Sequence, residues 1–129
     1  MPGRILIVDD QATQRASLAL GLRMAGFDVQ EAEEGEAALR LLQEAPAELA
    51  LVDLMLPGES GVQVVKRIRL LHPQVQVVLT SAYHLTEKQV RVLGLDAIAF
   101  VPKPYKLEEL TVFLEQTLAS TRPKAIKGA

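Results

Sequence analysis

The chain contains no cysteine. That excludes a disulfide scaffold, a cysteine nucleophile and thiolate metal sites. It also suits a reducing compartment, so a cytoplasmic protein is the expectation. Tryptophan is absent and aromatic residues make up only 4% of the sequence, so the core must be built from aliphatic side chains. No apolar run approaches the roughly 20 residues needed to cross a bilayer, and no membrane partner is expected. Met1-Pro2-Gly3-Arg4 leads almost directly into an apolar run, so no secretory leader is read there. There is no surplus of positive charge either. A net charge of −2 gives no basic field for direct contact with nucleic acid. The 129 residues, 49% of them hydrophobic, suffice for one domain around one core.

Against these absences stand four short apolar runs, each leading to polar residues. Ile5-Leu6-Ile7-Val8 runs into Asp9-Asp10, and Leu49-Ala50-Leu51-Val52 into Asp53. Val77-Val78-Leu79 runs into Thr80-Ser81, and Ile98-Ala99-Phe100-Val101 leads to Lys103-Pro104. Short runs that are β-branched and apolar throughout mark strands buried on both faces. The segment 27–32 is weaker, with Gln30 and Glu31 interleaved, as suits an edge strand. Between the runs, apolar residues recur at helical spacing: Leu18 and Leu22, then Ala38, Leu39 and Leu42, then Val64, Val65 and Ile68, then Leu110, Leu114 and Leu118. Gly26, Pro46 and Pro73 stop helices. Thr86-Glu87-Lys88-Gln89 has the form of a capping box that starts a short one, and Asp10 stands where the first helix would be capped. The spacing predicts strands over 4–8, 27–32, 49–52, 75–79 and 98–101, and helices over 12–25, 36–44, 62–71, 87–93 and 107–119.

Strand and helix in regular alternation predict an α/β fold. The expected form is a doubly wound (βα)5, flavodoxin-like three-layer sandwich with a five-stranded parallel sheet. Right-handed crossovers leave few arrangements, and the common strand order is 2-1-3-4-5. On this reading residues 1–119 form the domain. Residues 120–129 carry Arg122, Lys124 and Lys127 with no apolar period and read as a basic, disordered tail.

In open α/β sheets ligands bind beyond the carboxyl ends of the strands, so the acids, the hydroxyl and the lysine should converge on one edge. Carboxylates at Asp9, Asp10 and Asp53 repel one another there unless a cation sits among them. Hard oxygen ligands with no cysteine or histidine beside them favour Mg²⁺. Asp10 and Asp53 are the first direct ligands on this reading, the Met55 carbonyl is a third, and Asp9 acts through a water. Lys103 supplies a mobile cation for a phosphate oxygen, and Thr80 a small hydroxyl for another. Ser81 and Ala82 leave room above the site. Phosphoryl transfer asks for in-line positioning and charge neutralisation more than covalent help. Asp53 is the carboxylate placed to accept the group. Lys103-Pro104 can adopt a cis bond cheaply, which would turn the chain toward the site.

Taken singly, each piece has a plainer explanation. Asp9-Asp10 could cap a helix, Asp53 a loop, Thr80-Ser81 could be turn chemistry, and Lys103 a solvated lysine. Met55 alone reads as packing. His72 and His84 stand isolated and read as surface or loop residues rather than metal ligands. The argument rests on the set, because all its members follow strands on one expected edge. An aspartyl-phosphate phosphatase of the haloacid dehalogenase type needs a second Asp two residues after its nucleophile, and Gln11 stands there. A flavin-binding domain would place its phosphate against three acids. An interaction module that no longer uses phosphate stays open, and it predicts no Mg²⁺ affinity.

These residues, in this order, resemble the receiver domain of two-component response regulators, over most of the chain from Arg4 to Ala119. Asp9-Asp10 match the family's acidic pair and Asp53 its phosphorylated aspartate. Pro57 and Gly61 fit the loop that follows. Thr80 matches the switch hydroxyl, Phe100 the switch aromatic, and Lys103-Pro104 the lysine–proline pair. The resemblance implies that a sensor histidine kinase or a phosphotransfer protein donates its phosphoryl group to Asp53, with Mg²⁺ required, and that the acyl phosphate later hydrolyses. It implies that Thr80 moves toward the phosphate, that Phe100 turns inward, and that a downstream protein reads the change. The reading face would be made by the fourth helix, fifth strand and fifth helix. It implies a signalling switch rather than a turnover enzyme, either monomeric or a weak phosphorylation-dependent dimer. The segment from Phe100 to Tyr105 is similar to receivers of enhancer-binding regulators, and Thr111-Val112-Phe113 lacks the charged pattern of winged-helix regulators. The connection from Gly94 to Phe100 is longer than the family's usual one. No output module follows in this sequence, so a single-domain regulator and a receiver from a longer protein both stay open.

Overall fold

Each apolar run becomes a strand in the computed structural model of the chain, which describes residues 3–121. The elements are β1 (Arg4–Val8), α1 (Ala12–Met24), β2 (Asp28–Ala32), α2 (Gly35–Glu44), β3 (Leu49–Asp53), α3 (Gly61–Leu71), β4 (Gln76–Ser81), α4 (Glu87–Leu93), β5 (Ala99–Pro102) and α5 (Leu107–Thr121). The strands pair in parallel in the order β2-β1-β3-β4-β5. This is the doubly wound, flavodoxin-like (βα)5 arrangement the alternation predicts, and the weak strand β2 lies at an edge.

Side chains of a strand point alternately to its two faces, and the core divides accordingly. Leu6, Val8, Ala50, Val52, Val77 and Leu79 meet α2 and α3 through Ala38, Leu39, Leu42, Val64, Val65 and Ile68. Ile5, Ile7, Leu49, Leu51 and Val78 meet α1 and α5 through Leu18, Leu22, Leu110, Leu114 and Leu118. Each fully buried aliphatic side chain contributes about 1.5–3 kcal/mol of transfer free energy, and both faces carry many. The helix α4 is different. It buries none of its residues, and only Val90 and Leu93 rest partly on the core. Its ordering falls to the Thr86–Gln89 capping box, in which each side chain accepts from the other residue's backbone N–H.

Several expected boundaries move. Asp53, Thr80 and Ser81 are the last residues of their strands, because ladder hydrogen bonds continue past the last apolar side chain. The N-cap position of α1 is Gln11, not Asp10, and no side chain caps it. The helix α5 extends to Thr121, past the expected end at Ala119. The remainder of the expected tail, with Arg122, Lys124 and Lys127, lies outside the described residues.

Candidate functional site

The parallel sheet brings its carboxyl ends to one edge, and the singled-out residues meet there. Asp9 follows β1, Asp53 ends β3, Thr80 is the next-to-last residue of β4, and Lys103 follows β5. Asp9, Asp53 and Lys103 are buried, at 2%, 3% and 7% exposure; such burial is rare for charged groups unless they are paired. They are paired. The Lys103 Nζ donates to Asp53 Oδ2 at 2.7 Å, to Asp9 Oδ2 at 2.9 Å and to Gln11 Oε1 at 2.9 Å. The other oxygen of each acid is held by a backbone amide two residues on. Gln11 N–H donates to Asp9 Oδ1, and Met55 N–H to Asp53 Oδ1, both at 2.8 Å. Both carboxylates are therefore fixed by the same local device, an Asx-type turn.

Asp10 is exposed, and its carboxylate lies with those of Asp9 and Asp53 so that one oxygen of each falls within 4.8 Å of the others. Three acids against one ammonium leave the edge net negative. Burial pulls the Lys103 ammonium down from its usual range, but its hydrogen bonds to Asp53 and Asp9 outweigh this and hold it above that range. Lys103 is thus cationic at neutral pH. Burial also pushes the Tyr105 phenol up, with the Asp9 charge adding to the effect.

Thr80 sits directly beside Asp53 in the β3–β4 register, and its carbonyl accepts from Leu54 N–H at 2.9 Å. Its hydroxyl oxygen is buried and has no hydrogen-bond partner. Phe100 lies opposite Leu79 on β5, half-buried against the α2–α3 side of the core. The Lys103–Pro104 bond is cis. Pro57 is exposed in the loop after β3, where its carbonyl accepts from Glu59 N–H. Gly61 lies at the base of that loop, with its N–H donating to the Leu54 carbonyl at 3.0 Å. A Cβ on Gly61 would collide with the Asp53 carbonyl oxygen and the Leu54 Cα, so glycine lets α3 start against the acid-bearing strand. Arg67 ties the same loop to α2, bonding Glu59 and Glu36.

Above the acids opens a cavity of about 620 Å³. Asp10, Asp53, Met55 and Lys103 line it as expected, and so do Gln11 and His84. His84 is exposed in a loop, as the sequence suggests, but that loop is the mouth of the site. Gln11, which in the sequence only breaks a phosphatase motif, accepts from Lys103 in the fold. Its position next to an acidic pair was the available signal. Chemically, the edge can hold a hard cation among the acids and take up an oxyanion near Lys103 and Thr80.

The sequence from residue 5 to residue 115 matches the family described as response regulator receiver domain. Among curated proteins, a cyclic di-GMP phosphodiesterase of Thermotoga maritima is 38% identical over 88% of this chain and 30% of its own length. The response regulator MprA of Mycolicibacterium vanbaalenii is 36% identical over 95% of this chain and 53% of its own length. The chain therefore spans about half, or less, of these relatives. Among solved structures, a CheY-like receiver domain protein from Methanospirillum hungatei superposes with a TM-score of 0.84 at 27% identity, covering 93% of this chain and 96% of that one.

Proposed function

The chain belongs to the response regulator receiver family of two-component systems, and from that premise we propose that it is a phosphorylation-operated switch whose acceptor is Asp53. The observation that carries the reading is the Lys103 ammonium held between two buried carboxylates, with the unpartnered Thr80 hydroxyl beside one of them. A carboxylate, a cation and a free donor are what an incoming phosphoryl group needs.

The acid set fits Mg²⁺: three carboxylates close enough to share one ion, with no thiolate or imidazole among them. Asp9, Asp10 and Asp53 would hold it, with the Met55 carbonyl as a further ligand. When bound, the ion neutralises charge as the phosphoryl group arrives. The donor is a phosphohistidine of a sensor histidine kinase or phosphotransfer protein. A carboxylate oxygen of Asp53 attacks its phosphorus, the N–P bond breaks, and the histidine departs. Lys103 pairs with an oxygen of the new acyl phosphate and Thr80 donates to another. Water later returns Asp53 and inorganic phosphate, so the chain promotes only its own phosphorylation and dephosphorylation.

The added charge, about −1.5 to −2 in place of −1, biases an equilibrium between two arrangements of the far face. Thr80 moves toward the phosphate and Phe100 turns into the space it leaves. The α4–β5–α5 face changes shape and engages a downstream protein. The absence of buried residues on α4 supports this, since a helix so lightly anchored shifts at low cost. We assign the stretch from β1 through α5 as the receiver, in the cytoplasm, without direct nucleic-acid or membrane contact, monomeric or weakly dimeric when phosphorylated. Beryllofluoride with Mg²⁺, a phosphate mimic, should shift the backbone NMR resonances of Thr80, Phe100 and α4. A spectrum unchanged at all of them would favour an interaction module that has lost phosphate control.

A further inference from the structure

Arg15 has no part in the account so far, yet it grips the acid loop. It lies on α1 with its side chain only 15% exposed. Its Nη1 donates to the Asp9 carbonyl at 2.6 Å, and its Nε to Glu31 Oε1 at 3.2 Å. Glu31 belongs to the edge strand β2 and is shared with Arg23 at 3.4 Å, whose Nη2 donates to the Val29 carbonyl at 2.8 Å. The Asp9 N–H donates to Ala32 of the same strand at 3.0 Å. All four hydrogen-bonding positions of Asp9 are therefore engaged: N–H by β2, carbonyl by Arg15, Oδ1 by Gln11 and Oδ2 by Lys103.

Asp10 is the contrast. It is exposed, and its carboxylate forms no hydrogen bond or ion pair among the described residues. Its aim must come from its backbone. The Asp9 carbonyl and the Asp10 N–H belong to one planar peptide unit. Anchoring that oxygen sets the plane and with it the direction in which the Asp10 Cα leaves. A guanidinium is a rigid planar fork, so bonding Glu31 with one arm and the Asp9 carbonyl with the other fixes the peptide relative to β2.

We propose that Arg15, braced by Glu31, is a positioning residue for the cation site, aiming Asp10 by clamping the Asp9 carbonyl. The inference rests on the reading that the three acids hold a divalent cation. It has a sign that a plain charge effect lacks. A positive side chain near a cation site repels the cation, so if Arg15 acted through charge alone, its removal would tighten Mg²⁺ binding. If it acts by positioning, removal weakens binding. A surface ion pair with no further role would leave Mg²⁺ affinity unmoved.

The experiment is a titration of ¹⁵N-labelled protein with magnesium chloride, comparing wild type with Arg15→Ala and Arg15→Lys. Loss of an outer-sphere contact of this kind weakens metal binding by about tenfold or more, which is the expectation for Arg15→Ala. Arg15→Lys, which keeps the charge but gives up the planar fork, should show a smaller loss in the same direction where charge alone would leave affinity unmoved, and it carries the test if Arg15→Ala does not fold. Hydrogen exchange adds a local signature. The Gln11 amide, bonded to Asp9, should lose protection in Arg15→Ala, while the Met55 amide, bonded in the same way to Asp53, should keep it. General loosening would affect both. Affinity equal to or tighter than wild type in the folded variants overturns the inference alone. Failure of the wild type to bind Mg²⁺ overturns the cation reading, and this inference with it.

Discussion

Thr80 is the residue at which structure and chemistry are most at odds. A buried hydroxyl with no partner costs about 1–3 kcal/mol, and the molecule carries that cost beside Asp53. Thr80→Val, which keeps the shape and removes the hydroxyl, should raise the stability of the unphosphorylated protein by about 1 kcal/mol, measured by urea denaturation. A loss of stability would mean that the hydroxyl already has a partner. Asp9, Asp53, Thr80 and Lys103 were legible in the sequence because each stands at or just past the end of an apolar run, and a parallel sheet sends all such ends to one edge. Arg15 and Gln11 were not, because their roles depend on which atoms face them. Nothing in the spacing of Arg15 says that it reaches back to a carbonyl six residues earlier, or that its other arm meets the neighbouring strand.

At the scale of elements, the loop between β3 and α3 shows how one glycine can matter more than another. A Cβ at Gly61 meets fixed backbone, whereas one at Gly58 meets nothing within 4 Å, although its φ of +77° is left-handed. Gly61→Ala should therefore destabilise the fold by about 3 kcal/mol, and Gly58→Ala by only about 1 kcal/mol. Denaturation of both variants checks this, and the reverse order would contradict the close approach of α3 to Asp53. Strand ends lie past the apolar pattern for a physical reason. Hydrophobic pattern locates the buried middle of β3 and β4 but not the final ladder positions, where polar Asp53 and Thr80 still pair. The helix α4 was legible for a different reason. Its capping box is written in four consecutive residues, and its bounds, Glu87–Leu93, agree with the expectation although it buries nothing.

Across the whole molecule, the strand order, the division of the core between two faces and the edge that collects the acids follow from alternating apolar runs and helices. What the pattern leaves unwritten is the electrostatic state of that edge: one lysine clasping two buried acids that lie 50 and 94 residues away in sequence. Such a contact forms only once the sheet is complete, so it ties this edge to the global fold rather than to any one segment. On the function proposed above, Asp53 accepts a phosphoryl group at this edge. The most direct test of this is the intact mass of the protein after incubation with Mg²⁺ and a small phosphodonor such as acetyl phosphate. The account predicts one added phosphoryl group on the wild type and none on Asp53→Asn. An adduct of full yield on Asp53→Asn, or none on the wild type, would contradict it.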